Sequence, residues 1–214
     1  MLFLAIILAD AGISFALMGI MFGAIFIFGS QAKKNLVKQF IALINHFGPD
    51  MEANLETPKK ASPSINGTLF GRDFRLWMTK ETSGDSTVNY THFSLGYKAN
   101  QVKMVLLRKE RKVDRLQKRM GTIVEHEIGW PPFDKLYLLK TTDGQFLDQV
   151  FDDELVDLFI TAYPHLRGSF EIIGNELIYK EIMAINTHKK RLRYQKIIEL
   201  GLFMADRLEW ALND

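Results

Sequence analysis

The chain contains no cysteine, which excludes disulfides, thiol catalysis and thiolate metal sites without choosing a compartment. A dominant charge is missing too. Twenty-seven basic residues stand against 25 acidic ones, and a formal charge of +2 gives no argument for nucleic acid as a partner. Phosphate-loop (GxxxxGKS/T), dinucleotide (GxGxxG) and serine-hydrolase (GxSxG) signatures are absent, so those activities lose their usual warrant. The five histidines, His46, His92, His126, His165 and His188, are widely separated, and none has a partner at metal-ligand spacing such as HExxH. Glu125-His126-Glu127 is a local cluster, but neighbours in an extended segment point in different directions. The acids Asp148, Asp152, Asp153 and Glu154 lack EF-hand spacing and its glycine. No cofactor, metal or catalytic residue is therefore expected, and a non-enzymatic role is favoured over a site assembled from distant residues such as His92, His126 and Asp152.

What the chain does have is a long apolar run. Residues 2–28 (LFLAIILADAGISFALMGIMFGAIFIF) carry one charge, Asp10, leaving the remainder at +3. The 18 uncharged residues from 11 to 28 span about 27 Å as a helix, and residues 2–9 extend that past the roughly 30 Å of a bilayer's hydrocarbon. A single transmembrane helix over residues 1–32 is the expectation. Lys33, Lys34 and Lys38 follow it and no basic residue precedes it, so the positive-inside bias places the N-terminus outside and the following domain in the cytoplasm of a cell membrane. A cleaved signal peptide ending at Ser30-Gln31-Ala32 is the rival, opposed by the missing basic n-region. The sequons at Asn66 and Asn89 would matter only in a eukaryotic lumenal domain.

On a helical projection Ala5, Gly12, Ala16, Gly19 and Gly23 share an arc of about 60°, with Gly19 and Gly23 forming a GxxxG step. Small residues let a neighbouring backbone approach, so this face is expected to pack on another subunit's span or on a second copy, rather than on lipid alone. Asp10 lies on the opposite side, near the outer interface, where it can be solvated.

Residues 33–64 read as a juxtamembrane helix and linker. In residues 33–47, Leu36, Phe40, Leu43 and Phe47 recur at helical spacing, and Lys33, Lys34 and Lys38 suit anionic headgroups at about 1 kcal/mol each. The alternative is that this stripe packs on the protein's own domain. Gly48-Pro49 ends the helix, residues 56–64 have linker composition, and the folded domain is expected to start near Ile65 and run through 65–214.

Within it, the alternation of Phe74, Leu76 and Met78 against Arg75, Trp77 and Thr79 predicts a strand over 68–80, and 88–97 and 102–108 follow as strands of an antiparallel meander with one wet face. Residues 109–120 predict a charged surface helix, 135–141 a strand, Asp143-Gly144 a turn and 152–163 a helix opened by acids. Gly174-Asn175 closes a hairpin over 169–180. A long helix over 186–212 buries Tyr194, Ile197, Ile198, Gly201, Met204, Ala205 and Leu208. The fold class is thus α+β: one transmembrane helix, then one soluble domain with a mainly antiparallel sheet and a long C-terminal helix.

Trp77, on the wet face of its strand, and Phe203 and Trp210, seven residues apart on the last helix, are the expected partner contacts. Basic residues crowd 188–196, where they oppose the helix dipole, so a surface for lipid headgroups or an acidic partner is expected against plain solvation. A non-catalytic accessory subunit of a membrane protein complex is the leading reading. The second is a membrane-tethered module that recruits a cytosolic partner through its exposed sheet face.

Overall fold

The computed structural model describes residues 31–59, 61–98, 105–120 and 125–213. Its first element, helix α1, covers residues 31–47, and the stripe Leu36, Phe40, Leu43 and Phe47 is buried in the core. Gly48, with φ +55°, and Pro49 then end it in a single 3-10 turn. Strand β1 (Met51–Glu56) pairs antiparallel with β2 (Ser64–Leu69) from Met51↔Leu69 to Glu56↔Ser64. The folded unit therefore includes the stretch expected to be juxtamembrane helix and linker, and Ile65 is not its start. Linker composition holds only for the loop between β1 and β2. Glu52, Asn54 and Glu56 alternate along β1 with the inward Met51, Ala53 and Leu55, the period-two pattern of a strand with one wet face.

Among the described residues eight strands form one antiparallel sheet in the order β1-β2-β3-β4-β8-β7-β5-β6. The further strands are β3 (Arg72–Ser83), β4 (Ser86–Gly96), β5 (Val105–Lys109), β6 (Tyr137–Thr141), β7 (Ser169–Ile173) and β8 (Glu176–Ile182). The single strand expected over 68–80 is in fact two, β2 and β3, turned at Phe70-Gly71. The expected meander also fails at its third step. The β7–β8 hairpin, which the sequence does mark by Gly174-Asn175, inserts between β4 and β5, with Phe93 opposite Tyr179 and Leu107 opposite Phe170. Alternation reports which face a strand buries, not which strand lies beside it.

One face of the sheet is covered by helices. After the single-turn helix α3 (Pro131–Asp134), Asp143 caps α4 (Gly144–Val150), accepting from Phe146 at 3.2 Å, and Asp152 caps α5 (Asp153–Ala162), accepting the Leu155 N–H at 2.9 Å. The Asp-Gly pair expected as a turn is thus a helix start, two roles the same residues serve. The long α6 (His188–Asn213) closes the core with the face predicted for it: Tyr194, Ile197, Ile198, Met204, Ala205 and Leu208 are buried. Gly201 lets it come close, because a Cβ there would lie 2.9 Å from the Phe93 ring. Phe93 is the hub of the core, with Tyr179 at 5.5 Å, Tyr194 at 5.9 Å and Phe170 at 6.2 Å between ring centroids.

Helix α2 (Lys112–Arg119) is held to β5 by one buried carboxylate. Asp114 accepts two bonds from Arg108, at 2.6 and 2.7 Å, and one from the Arg111 backbone N–H at 2.7 Å. The Arg108 guanidinium, ahead of the Arg111 amide, holds the Asp114 carboxyl down at about 2. A depressed folded-state pKa stabilises above the unfolded value, near 3.9, and the gain is lost as pH falls toward 2. Asp114→Asn is expected to remove about 2 kcal/mol at neutral pH and to flatten the stability profile between about pH 4 and 2. Thermal unfolding in detergent across that range checks it.

Candidate interaction surfaces

The three residues named for an assembled active site lie on different elements, each with a partner of its own. His92 lies on the outer sheet face, receiving or donating a bond at 2.8 Å with Thr79 Oγ1. His126 meets Asp148 at 2.8 Å beside α4, and Asp152 caps α5 while pairing with Arg207 at 2.9 Å. Among the described residues no three histidines or acids gather as a metal site. A second buried ionic group is a closed network. Glu181, 3% exposed, accepts from Arg193 at 2.5 and 3.0 Å and from the Tyr179 hydroxyl at 2.8 Å, which in turn accepts the Gly168 N–H at 2.9 Å. Each polar partner there is bound by another, as a structural network requires. Burial, and then the negative charge of Glu181, push the Tyr179 phenol far up, so it is a neutral donor at any physiological pH.

The three expected partner contacts do not share a surface. Trp77 is on the outer face of the sheet, stacked on His92 at 5.0 Å with an interplanar angle of 8° and with Arg75 over its ring at 4.8 Å. Burial, then the nearby Lys180 ammonium, lowers the pKa of His92, so the stack holds a neutral imidazole near pH 7. Phe203 and Trp210 belong to α6, on the other side of the sheet. Phe203 is partly buried under Arg207 at 4.9 Å, while Trp210 is 56% exposed. The wet sheet face was legible from alternation; the separation of the aromatics required the topology.

A feature absent from the sequence expectations lies beside Phe203. Phe70 and Gly71 are the two central residues of the β2–β3 turn, and both have positive φ, +50° and +73°. Such a two-residue hairpin turn asks for glycine or asparagine, yet the first position holds an aromatic ring that is 56% exposed. Its ring, Leu202, Phe203 and His46 line a hollow of about 530 Å³. The Phe-Gly pair within an apparently continuous strand was the available signal. A non-glycine residue held at positive φ costs on the order of 1–3 kcal/mol and persists only where its surroundings hold it. Phe70→Asn is expected to leave stability unchanged or raise it by up to about 1 kcal/mol, because asparagine tolerates the left-handed region. Thermal unfolding checks this, and a loss above about 1 kcal/mol would mean that the ring serves packing instead.

Of the expected membrane-surface lysines, Lys33 turns back on the fold, donating to the carbonyls of Pro58, Lys59 and Ala61 and so tying the β1–β2 loop to α1. Lys34 and Lys38 are exposed and flank Val37 and the 46% exposed Ile41. The small-residue face of Ala5, Gly12, Ala16, Gly19 and Gly23 lies outside the described residues, as does Asp10. Among the described residues no helix is long and apolar enough to cross a membrane.

No protein-family model and no curated protein sequence matches the chain. Among solved structures the fold is similar to that in the crystal structure of the mycobacterial trehalose monomycolate transport factor A, TtfA, with a TM-score of 0.52 at 13% identity over 81% of this chain and 94% of that one. At that identity the likeness concerns the fold: helices and an antiparallel sheet in an α+β arrangement with a long C-terminal helix.

Proposed function

We propose that the chain is a non-catalytic, membrane-anchored accessory subunit of a membrane protein complex. Residues 2–28 form its single span, the face of Ala5, Gly12, Ala16, Gly19 and Gly23 docks on another subunit's helix or a second copy, and the domain braces the cytoplasmic side. The observation that carries this reading is the apolar run itself: 26 of its 27 residues are uncharged, and all three of its glycines fall on one side with Ala5 and Ala16. Further support comes from the domain, where the buried carboxylates Asp114 and Glu181 are each held by an arginine and the strained turn exposes the Phe70 ring. The protein of like fold is named a transport factor, and a membrane transport assembly is the first class of complex to test.

Leucine at Gly19 and Gly23 tests the docking face. The double variant should still enter the membrane, since it is more apolar than the native helix, but should lose its co-purifying subunit. Unchanged co-purification would remove the face from the account.

A second reading, a tethered module that recruits a cytosolic partner, is favoured specifically by the Phe70–Phe203 hollow. There the discriminating variant is Phe70→Asn, which would abolish recruitment while the span variant leaves it intact.

A further inference from the structure

Helices α1 and α6 lie side by side and run in the same direction, since Gln39 meets Arg191 at 3.2 Å and, two turns on, His46 meets Glu199 at 3.4 Å. Both helices therefore begin at one end of the domain, the end at which residue 31 follows the apolar run. Three adjoining depressions there are lined by cations. One takes Lys33, Lys59 and Lys80; the next takes Lys33, Lys34 and Lys38, and neither is lined by an acid. A groove of about 740 Å³ continues past the start of α6 with Lys189, Lys190, Lys196 and Arg167 around it. Its one acid, Glu181, is 3% exposed and already bound by Arg193.

Apart from Lys33, which ties the β1–β2 loop to α1, few of these charges are taken up within the fold. Among the described residues Lys34, Lys38, Lys59, Lys80, Lys189 and Lys190 have no acid within ion-pair distance, whereas Arg72, Arg108, Arg193 and Arg207 each hold one or more. Lys190 reaches only the neutral Asn186, and Arg191 only Gln39 and His188. The first turn of α6 has no acidic residue, so its lysines face the positive end of the helix dipole unrelieved. Behind the groove, burial, then the positive charges of Arg167 and Arg193, push the Lys109 ammonium down, a sign of the local field. Between the cations stand exposed apolar side chains, Ile41 at 46%, Leu192 at 43% and Ile182 at 66%.

We infer that this end of the domain is a lipid-facing surface that lies on an anionic bilayer, with Lys34, Lys59, Lys80, Lys189 and Lys190 at the headgroups and Ile182 and Leu192 at the depth of the interface. The inference rests on the proposed span, which brings the chain out of the membrane at this same end. The mixture of lysines with scattered apolar side chains is the chemistry that binds such a surface, each lysine adding attraction within a Debye length. It also fixes the domain's pose, so that the Phe70–Phe203 hollow, at the opposite ends of α1 and of the β2–β3 hairpin, points away from the lipid.

The test is acetylation footprinting of the full chain in nanodiscs of phosphatidylcholine alone and with about 30% phosphatidylglycerol. In the anionic discs Lys189, Lys190 and Lys59 should react about five-fold more slowly, the factor that about 1 kcal/mol per lysine corresponds to, and about 0.5 M salt should restore the rate. Exposed Lys112 and Lys135, on α2 and beside the Pro131–Asp134 turn, should not change. Equal rates in both compositions, with the chain firmly in the discs, would overturn the lipid-facing surface alone and leave the basic end to an acidic protein partner. Failure of the chain to co-elute with either disc would overturn the span and this surface together.

Discussion

Arg193→Met is expected to destabilise the domain by about 3–5 kcal/mol, because it leaves Glu181 charged, buried and without its cation. Glu181 sits on β8 with 3% exposure and receives both guanidinium nitrogens of Arg193, so water cannot replace what is removed. The Tyr179 hydroxyl alone would remain, at 2.8 Å. The double variant Glu181→Leu/Arg193→Met should recover most of the loss, since a buried pair exchanged for apolar residues of similar volume is often neutral or better. Tyr179 would keep a partner in the double variant, the Gly168 N–H at 2.9 Å. Denaturant unfolding of the two single variants and the double gives the coupling energy directly. A single variant within about 0.5 kcal/mol of the native chain would show that the pair is solvated in solution.

Phe93→Ala should cost a similar amount, about 3–5 kcal/mol, by a different route. The ring is wholly buried and touches Phe74, Phe170, Tyr179 and Tyr194, side chains from both halves of the sheet and from α6. Rigid rings cannot all move into the space left, and α6 is already pressed onto it at Gly201. Trp77→Ala, on the strand next to the same hub but on the outer face, should cost about 1 kcal/mol or less, the value of a half-exposed stack. Comparing the two by thermal unfolding separates the inner from the outer face of one sheet. Equal losses would mean that the outer face is covered by something the domain itself does not supply.

Phe93 is legible, because period-two alternation in β4 states which face is inside. The hairpin at Gly174-Asn175, the acid-capped α5 and the broad buried face of α6 were legible for the same local reasons. Glu181 and Arg193 were not, since a buried carboxylate contradicts the polarity pattern and its partner lies on another element. Strand order escaped for a related reason: the β7–β8 hairpin has the same local pattern whether it ends the sheet or, as here, enters its middle. The stripe along α1 was readable as amphipathic, but an apolar stripe does not say whether lipid or the protein's own core receives it, and Leu36, Phe40, Leu43 and Phe47 went to the core. Likewise Lys34 and Lys189 were each visible as part of a basic run. Only the parallel packing of α1 and α6 brings the two runs to one end of the domain.

The central claim, an anchored accessory subunit, is tested most directly by purifying the full chain from its native membrane in a mild detergent and identifying what accompanies it. The account predicts that it resists extraction by alkaline carbonate and elutes with a second membrane protein, or a second copy, in a fixed ratio that leucines at Gly19 and Gly23 abolish. Elution at monomer mass with nothing bound, or release from the membrane without detergent, would contradict it.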